Sequence, residues 1–480
     1  MPAVRVLFAA LGLALFAIAH SPAASSVDAI FSGFTKPGSP GCALGVFRDG
    51  KIVYSKGYGL ANVEQQVSIT PGSVFDIGST SKQFTAAAIL LLEQQGKLRL
   101  DDDIRLYLPE LPCYSGPGGG RITILHLLNH TSGVRDYLDL FSMAGIAIDG
   151  VTTDDTALAI LMRQKALNFS PGSEFLYSNS GYFLLSLIVK RVSGRNLRDF
   201  AQEQIFGPLE MTHTEYRNDH RALIPNRVLA YSPAPSGFRL SVSYFEQLGD
   251  GAVHTSVEDL VKWDENFYTG LVGGTGLLAE IQEPGTLANG TTLEYAKGLI
   301  RGTHRGLAFV RHAGSWGGYR AELLRFPEQH FSVACLCNLG TANPANLAMQ
   351  TAELFLAGRM SAREGPPTPS ATAQPAAATS SQLDSAVLAS YPGDYAGGEL
   401  GAIYRLAIVG GRLSLAAILD AGGFPRNTTS TVLRGTGEDQ FTGARFTLRF
   451  VRDTNGAVTG FHADFGRAKG MVFERVPAGK

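Results

Sequence analysis

The sequence predicts a mixed α/β (α+β) protein followed by a small all-β barrel. Three observations carry this. Strand-like runs stand at both ends of a long N-terminal segment, and a mostly helical stretch lies between them. A Pro/Ala/Ser/Thr-rich break then separates that segment from a tail of short alternating apolar and polar runs. The length of 480 residues exceeds what one compact core usually holds, which fits two domains.

In chain order, "MPAVRVLFAALGLALFAIAHSPAASS" places Arg5 ahead of an uninterrupted apolar run from Val6 to Ala19, with small residues after it. That order reads as a secretory signal peptide over residues 1–24. The run is short for a bilayer span, so the expectation is an exported protein, periplasmic or secreted, without a stable membrane span after cleavage. An uncleaved anchor is the alternative.

The main domain is expected over residues 28–360. "GCALGVFRDGKIVYSKGYG" from Gly41 reads as two strands joined at Asp49-Gly50, a strong hairpin signal. From about Ser79 to Phe267 the pattern is mostly helical, with starts such as the capping pair Ser256 and Asp259. Strands return at about 293–300, 308–313, 318–326 and 331–338, and a helix follows over about 343–357. Strands at both ends imply one sheet built from both termini, covered by the helical insertion. Residues 361–383 lack large apolar groups and read as a linker. Residues 384–480 read as an antiparallel β-barrel, with Gly410-Gly411 and Asn455-Gly456 as turns.

Composition narrows the partners. With a net charge of −1, 45% hydrophobic and 17% charged residues, the chain lacks the basic excess of a nucleic-acid binder. A small molecule or short peptide fits better. The four cysteines are Cys42, Cys113, Cys335 and Cys337; the last two share one face of a strand, where such a pair packs more often than it bridges. No zinc-site spacing is present, so no metal is expected. His126 and His130 stand i, i+4, but without the glutamate of His-Glu-x-x-His or a third ligand they read as scaffold, as does His254.

The chemistry centres on "DIGSTSKQFTAAAILLLEQQGKL". Apolar residues surround this helix nearly all round, so it is central. Its first turn is expected to begin at Ser79, and Lys82 stands three residues on, within reach of the Ser79 hydroxyl. A cation beside a serine at a helix N-terminus suits nucleophilic catalysis. Taken alone, the spacing also fits an N-cap serine followed by a solvated lysine.

Two further stretches bear on that choice. "SEFLYSNSGYFLL" carries Tyr177-Ser178-Asn179, and "FVRHAGSWGGYRAELLRF" carries His312-Ala313-Gly314 at the end of a strand, opening a glycine-rich turn. With Ser79-Thr80-Ser81-Lys82, these resemble the three signature motifs of the serine β-lactamase-related and penicillin-binding protein family. The Tyr-x-Asn form resembles the branch of class C β-lactamases, D-Ala-D-Ala carboxypeptidases, D-aminopeptidases and related esterases. "LLNHTSGV" from Leu127 and "GDGAVHTSVEDL" from Gly249 look like scaffold segments of that family. The resemblance covers roughly residues 30–357, and the tail resembles the lipocalin-like C-terminal barrels of some of its peptidases.

The resemblance implies a class C β-lactamase-like antiparallel sheet flanked by helices, with a helical subdomain. It implies that Ser79 becomes acylated, that Tyr177 or Lys82 is the general base, and that Asn179 orients Lys82 and meets the substrate amide. The backbone N–H groups of Ser79 and of Ser315, just after Gly314, would form the oxyanion hole. His312 stands where β-lactamases of this branch carry lysine, and a histidine is largely neutral at pH 7. The expected function is therefore an exported serine hydrolase working through an acyl-enzyme on amide or ester bonds, foremost a peptidase on small peptides containing D-amino acids. The alternatives are a β-lactamase and a slowly acylating penicillin-binding receptor. No metal or organic cofactor is expected, and a homo-oligomer is compatible with the sequence.

Overall fold

The computed structural model describes residues 22–114, 119–147, 149–362, 385–419 and 430–477. The expected signal segment lies outside them up to residue 21, and the expected linker does so from residue 363.

The main sheet is made of strands with two apolar faces. Cys42–Arg48 reads CALGVFR and Phe331–Cys337 reads FSVACLC, with every residue of the latter buried. Side chains alternate across a strand, so Ala43 and Phe47 enter one core while Cys42, Leu44 and Val46 enter the other. Both faces therefore need helical cover. Pro22–Ile30 and Pro344–Leu356 supply it on one side. Lys82–Gln94, Asn179–Ser193 and Val257–Thr269 supply it on the other.

Seven antiparallel strands run in the order Tyr295–Ala296, Leu299–His304, Leu307–Trp316, Tyr319–Phe326, Phe331–Cys337, Cys42–Arg48 and Lys51–Tyr58. The mixed architecture and the sheet joined from both ends agree with the sequence reading. At the hairpin tip, Asp49 and Gly50 take φ of 50° and 70°, the left-handed pair that a two-residue turn requires.

Register also makes a bond that spacing hides. Cys42 lies directly opposite Cys337, and the two form a disulfide. The expectation that Cys335 and Cys337 simply pack is corrected: Cys337 crosses to the neighbouring strand, and Cys335 stays a buried thiol.

The insertion is less uniformly helical than expected. Short strands Phe75–Asp76, Val253–Thr255 and Glu215–Tyr216 form a small sheet, and Tyr231–Pro233 pairs with Phe238–Leu240. Chain buried beside a helix needs partners for its backbone groups, and these ladders supply them. The helix Ile124–Leu128 ends before His130, whose φ is 57°, so His126 and His130 do not share a helix face.

Beyond residue 385, nine antiparallel strands form a nearly closed barrel whose strand order starts at Thr431–Val432 and finishes at Arg434–Gly437, one residue apart in sequence. The barrel docks on residues 135–168. Arg135 Nη1 donates to Glu399 Oε1 at 2.9 Å, both side chains being almost fully buried, and the Tyr404 hydroxyl donates to the Met143 carbonyl. Glu399→Ala leaves the Arg135 charge buried without its counter-ion. The expected loss is about 3–5 kcal/mol, read from urea unfolding. Among the described residues no helix is long and apolar enough to cross a membrane.

Candidate active site

The site begins with a tight turn. Gly78–Ser81 form a 3-10 turn, and the α-helix starts only at Lys82, one turn later than the sequence suggests. The turn is fixed at its start, where Asp76 Oδ1 accepts the Gly78 N–H at 2.8 Å. It is pressed from the side by the strand Leu307–Trp316. That strand continues through His312-Ala313-Gly314 instead of turning there. The two glycines permit the contact: a Cβ on Gly314 would lie 1.8 Å from the Ile77 carbonyl oxygen, and one on Gly78 would lie 2.7 Å from Ser315 N. Ser315 N is thereby brought beside the Ser79 turn.

Lys82 is fully buried, against the alternative of a solvated lysine. Its Nζ donates to Asp250 O at 2.6 Å and Asn179 Oδ1 at 2.9 Å, and it lies 3.1 Å from Ser79 Oγ. Burial pulls its pKa below the lysine range, while Asp250 and Asp136 oppose the shift and Arg467 adds to it. A neutral amine has two N–H groups and one lone pair. Two donations to Asn179 and Asp250 then leave the lone pair facing the Ser79 hydroxyl.

Asn179 opens the helix Asn179–Ser193, and its N–H donates to Asp136 Oδ2 at 2.7 Å. Tyr177 stands just before that helix. Its ring lies 4.9 Å from Lys82 Nζ, and its hydroxyl is buried without a hydrogen-bond partner of normal geometry. Burial raises its pKa; the neighbouring Ser79 hydroxyl and Arg467 pull it down, and Asp250 and Asp136 push it up. The phenol is therefore protonated in this state.

His312 is placed behind Tyr177 and outside the cavity lining. Its Nδ1–H donates to the Ala313 carbonyl at 2.7 Å, which leaves Nε2 to accept from the Tyr295 hydroxyl at 3.3 Å. Burial brings its pKa down to about 3, so it is neutral. His130 is likewise held neutral by burial; its Nδ1 accepts the Ser178 N–H and its ring packs 4.2 Å from that of Tyr177.

A cavity of about 220 Å³ opens over Ser79, lined also by Tyr177, Asn179, Ser315 and Trp316. Several of its walls were not singled out from sequence. Asp76 ends the short strand Phe75–Asp76, Asp250 and Arg217 come from loops of the main domain, and Arg467 comes from a turn of the barrel. Arg467 is held by Asp136 at 3.2 Å and Asp139 at 3.3 Å, and its guanidinium lies 5.8 Å from the Tyr177 ring centroid. No local signal marks an arginine 290 residues from Tyr177, because only docking of the barrel brings it there.

A half-buried Ser79 against a fully buried Lys82 thus stands under a cavity on a mixed α/β fold. The chain belongs to the Beta-lactamase family, whose model matches residues 27–357. It is 30% identical over 316 residues to a D-aminopeptidase of Gluconobacter oxydans, an alignment covering 66% of this chain and 58% of that protein. The chain thus spans less than two thirds of that relative's length. In three dimensions it resembles the octameric penicillin-binding protein homologue from Pyrococcus abyssi, with a TM-score of 0.62, 24% identity, and coverage of 94% of this chain and 99% of the other. It also resembles the D-amino acid amidase from Ochrobactrum anthropi solved with D-phenylalanine, with a TM-score of 0.60, 21% identity, and coverage of 71% and 100%. Both likenesses concern the fold.

Proposed function

We propose that this protein is an exported hydrolase that cleaves an amide bond in small peptides containing D-amino acids, through an acyl-enzyme on Ser79. The observation that carries the reading is the Lys82 amine: buried, depressed in pKa, and 3.1 Å from Ser79 Oγ. The D-aminopeptidase name of the sequence relative supports the substrate class. The apolar N-terminal run and a disulfide between distant strands support an oxidising compartment.

In this reading Ser79 Oγ attacks the substrate carbonyl carbon as its proton passes to Lys82 Nζ. The N–H groups of Ser79 and Ser315 receive the oxyanion. Expulsion of the amine needs a proton at nitrogen, and the protonated, unpartnered Tyr177 hydroxyl beside Ser79 is the group to donate it. Asn179 keeps Lys82 aimed at Ser79. Water then cleaves the ester, with the same groups acting in reverse.

The test is intact-protein mass spectrometry with a fluorophosphonate and with a penicillin, alongside hydrolysis of paired D- and L-aminoacyl amides. The expected result is one phosphonyl adduct, absent in Ser79→Ala, and turnover of the D-series. Penicillin consumed with no adduct left would favour the β-lactamase alternative. A lasting penicilloyl adduct without amide turnover would favour the receptor.

A further inference from the structure

We propose that Arg217 and Arg227 form an anion subsite that receives a carboxylate of the substrate, so that the preferred peptide carries a negative charge near the bond that is cut. This rests on the hydrolase reading above and narrows its substrate class.

Behind the catalytic cavity lies a second one of about 230 Å³. Asp76, Arg217 and Trp316 line both, so Arg217 stands at the join between the Ser79 chamber and the space beyond. Arg227 and His254 line the second cavity. The Arg217 guanidinium is held by main-chain carbonyls, donating through Nη2 to Ser243 O at 3.0 Å and through Nη1 to His220 O at 3.5 Å. Carbonyls orient a guanidinium but do not cancel its charge. Arg227 has no side-chain hydrogen bond, and neither arginine has a carboxylate at ion-pair distance, among the described residues. The other arginines near the site are neutralised directly: Arg467 by Asp136 and Asp139, Arg135 by Glu399.

The charges facing this pair sum in favour of an anion. Asp76 is the one carboxyl in the shared wall; burial raises its pKa to about 6 against the pull of the Gly78 N–H, Arg217 and Arg227, and its Oδ1 is already committed to that N–H. His254 is neutral, its pKa brought down to about 3 by burial. The His220 ring is tied to Glu246 at 2.7 Å, and the Tyr319 hydroxyl donates to the Val228 carbonyl. Two permanent cations thus face one weakened acid in a half-enclosed space. A guanidinium with free N–H edges matches a carboxylate with paired, charge-assisted hydrogen bonds, which is the ligand that this balance lacks.

The carboxylate has two sources in a peptide, the C-terminus and an acidic side chain. The experiment uses three D-dipeptides that differ only there: a free acid, its C-terminal amide, and an amide with an acidic side chain. Each is titrated against the full chain as a protectant of Ser79 from the fluorophosphonate, a readout that requires binding but no turnover. The expected result is that one acidic peptide protects at about tenfold lower concentration than the neutral amide, equivalent to about 1.4 kcal/mol. Whichever acid does so identifies the source. Its advantage shrinks at higher ionic strength. It disappears in Arg217→Gln and Arg227→Gln, and returns in part in Arg217→Lys. Equal protection by all three peptides, or none, in the wild-type protein overturns the subsite even if a variant fails to fold. Failure of Ser79 to label without any peptide overturns the hydrolase reading instead.

Discussion

Lys82→Ala is expected to lower kcat/KM for a D-aminoacyl amide by about 10⁴-fold, and Ser79→Ala by about 10⁶-fold. The two substitutions together should cost no more than Ser79→Ala alone, because the lysine acts only through the serine. The sharper outcome concerns Tyr177. A fluorophosphonate expels fluoride, which needs no proton, so Tyr177→Phe should still be phosphonylated while amide hydrolysis falls by about 10²–10⁴-fold. Lys82→Ala should lose both reactions. If Tyr177→Phe also lost phosphonylation, the phenol would belong to the activation of Ser79, and the acid role assigned to it would fall.

The same assignment fixes the sign of two pH effects. Only neutral Lys82 can take the serine proton, so kcat/KM for the free enzyme should rise with pH along a limb lying well below the ordinary lysine value of 10.5. Stability should move the same way. The folded-state pKa of Lys82 is depressed, so between it and the unfolded value the unfolded chain binds the extra proton. Stability rises with pH across that window, and lowering pH through it favours unfolding. A Lys82→Met variant should lose this dependence in a series of urea titrations.

What could be read from the sequence was what is local. Ser79 and Lys82 are one helical turn apart, and Asp49-Gly50 carries its own turn chemistry, so both were visible without the fold. The partners that set Lys82's charge were not. Asp250 uses its main-chain carbonyl, which carries no side-chain signature, and Asp136 acts from a loop 54 residues after Lys82, through Asn179. The disulfide depends on register between strands at the two ends of the domain, and Arg467 depends on docking of a barrel. Gly314 was legible as a residue but misread as turn punctuation. In the structure it lies inside a strand, where it serves close approach.

That misreading leads to the second large effect. Gly314→Ala places a methyl group 1.8 Å from the Ile77 carbonyl oxygen and 3.0 Å from Thr80 Oγ1, so the strand and the Ser79 turn must separate. The Ile77 oxygen is a main-chain atom and not the end of a flexible side chain, so the backbone has to yield. The expected loss of stability is about 3 kcal/mol, at the upper end for an overpacked core. The same movement carries Ser315 N away from Ser79, which should cost about 10²–10³-fold in kcat, the usual effect of losing one oxyanion donor. Gly276→Ala is the matched control. It lies in the helix Gly274–Glu280 with nothing within 4 Å of its added Cβ, so the substitution should leave kcat alone and add up to about 1 kcal/mol of stability. A Gly314→Ala protein with wild-type melting temperature and kcat would show that the strand and turn are not held together at this contact, and the oxyanion donors would have to be sought elsewhere on the cavity wall.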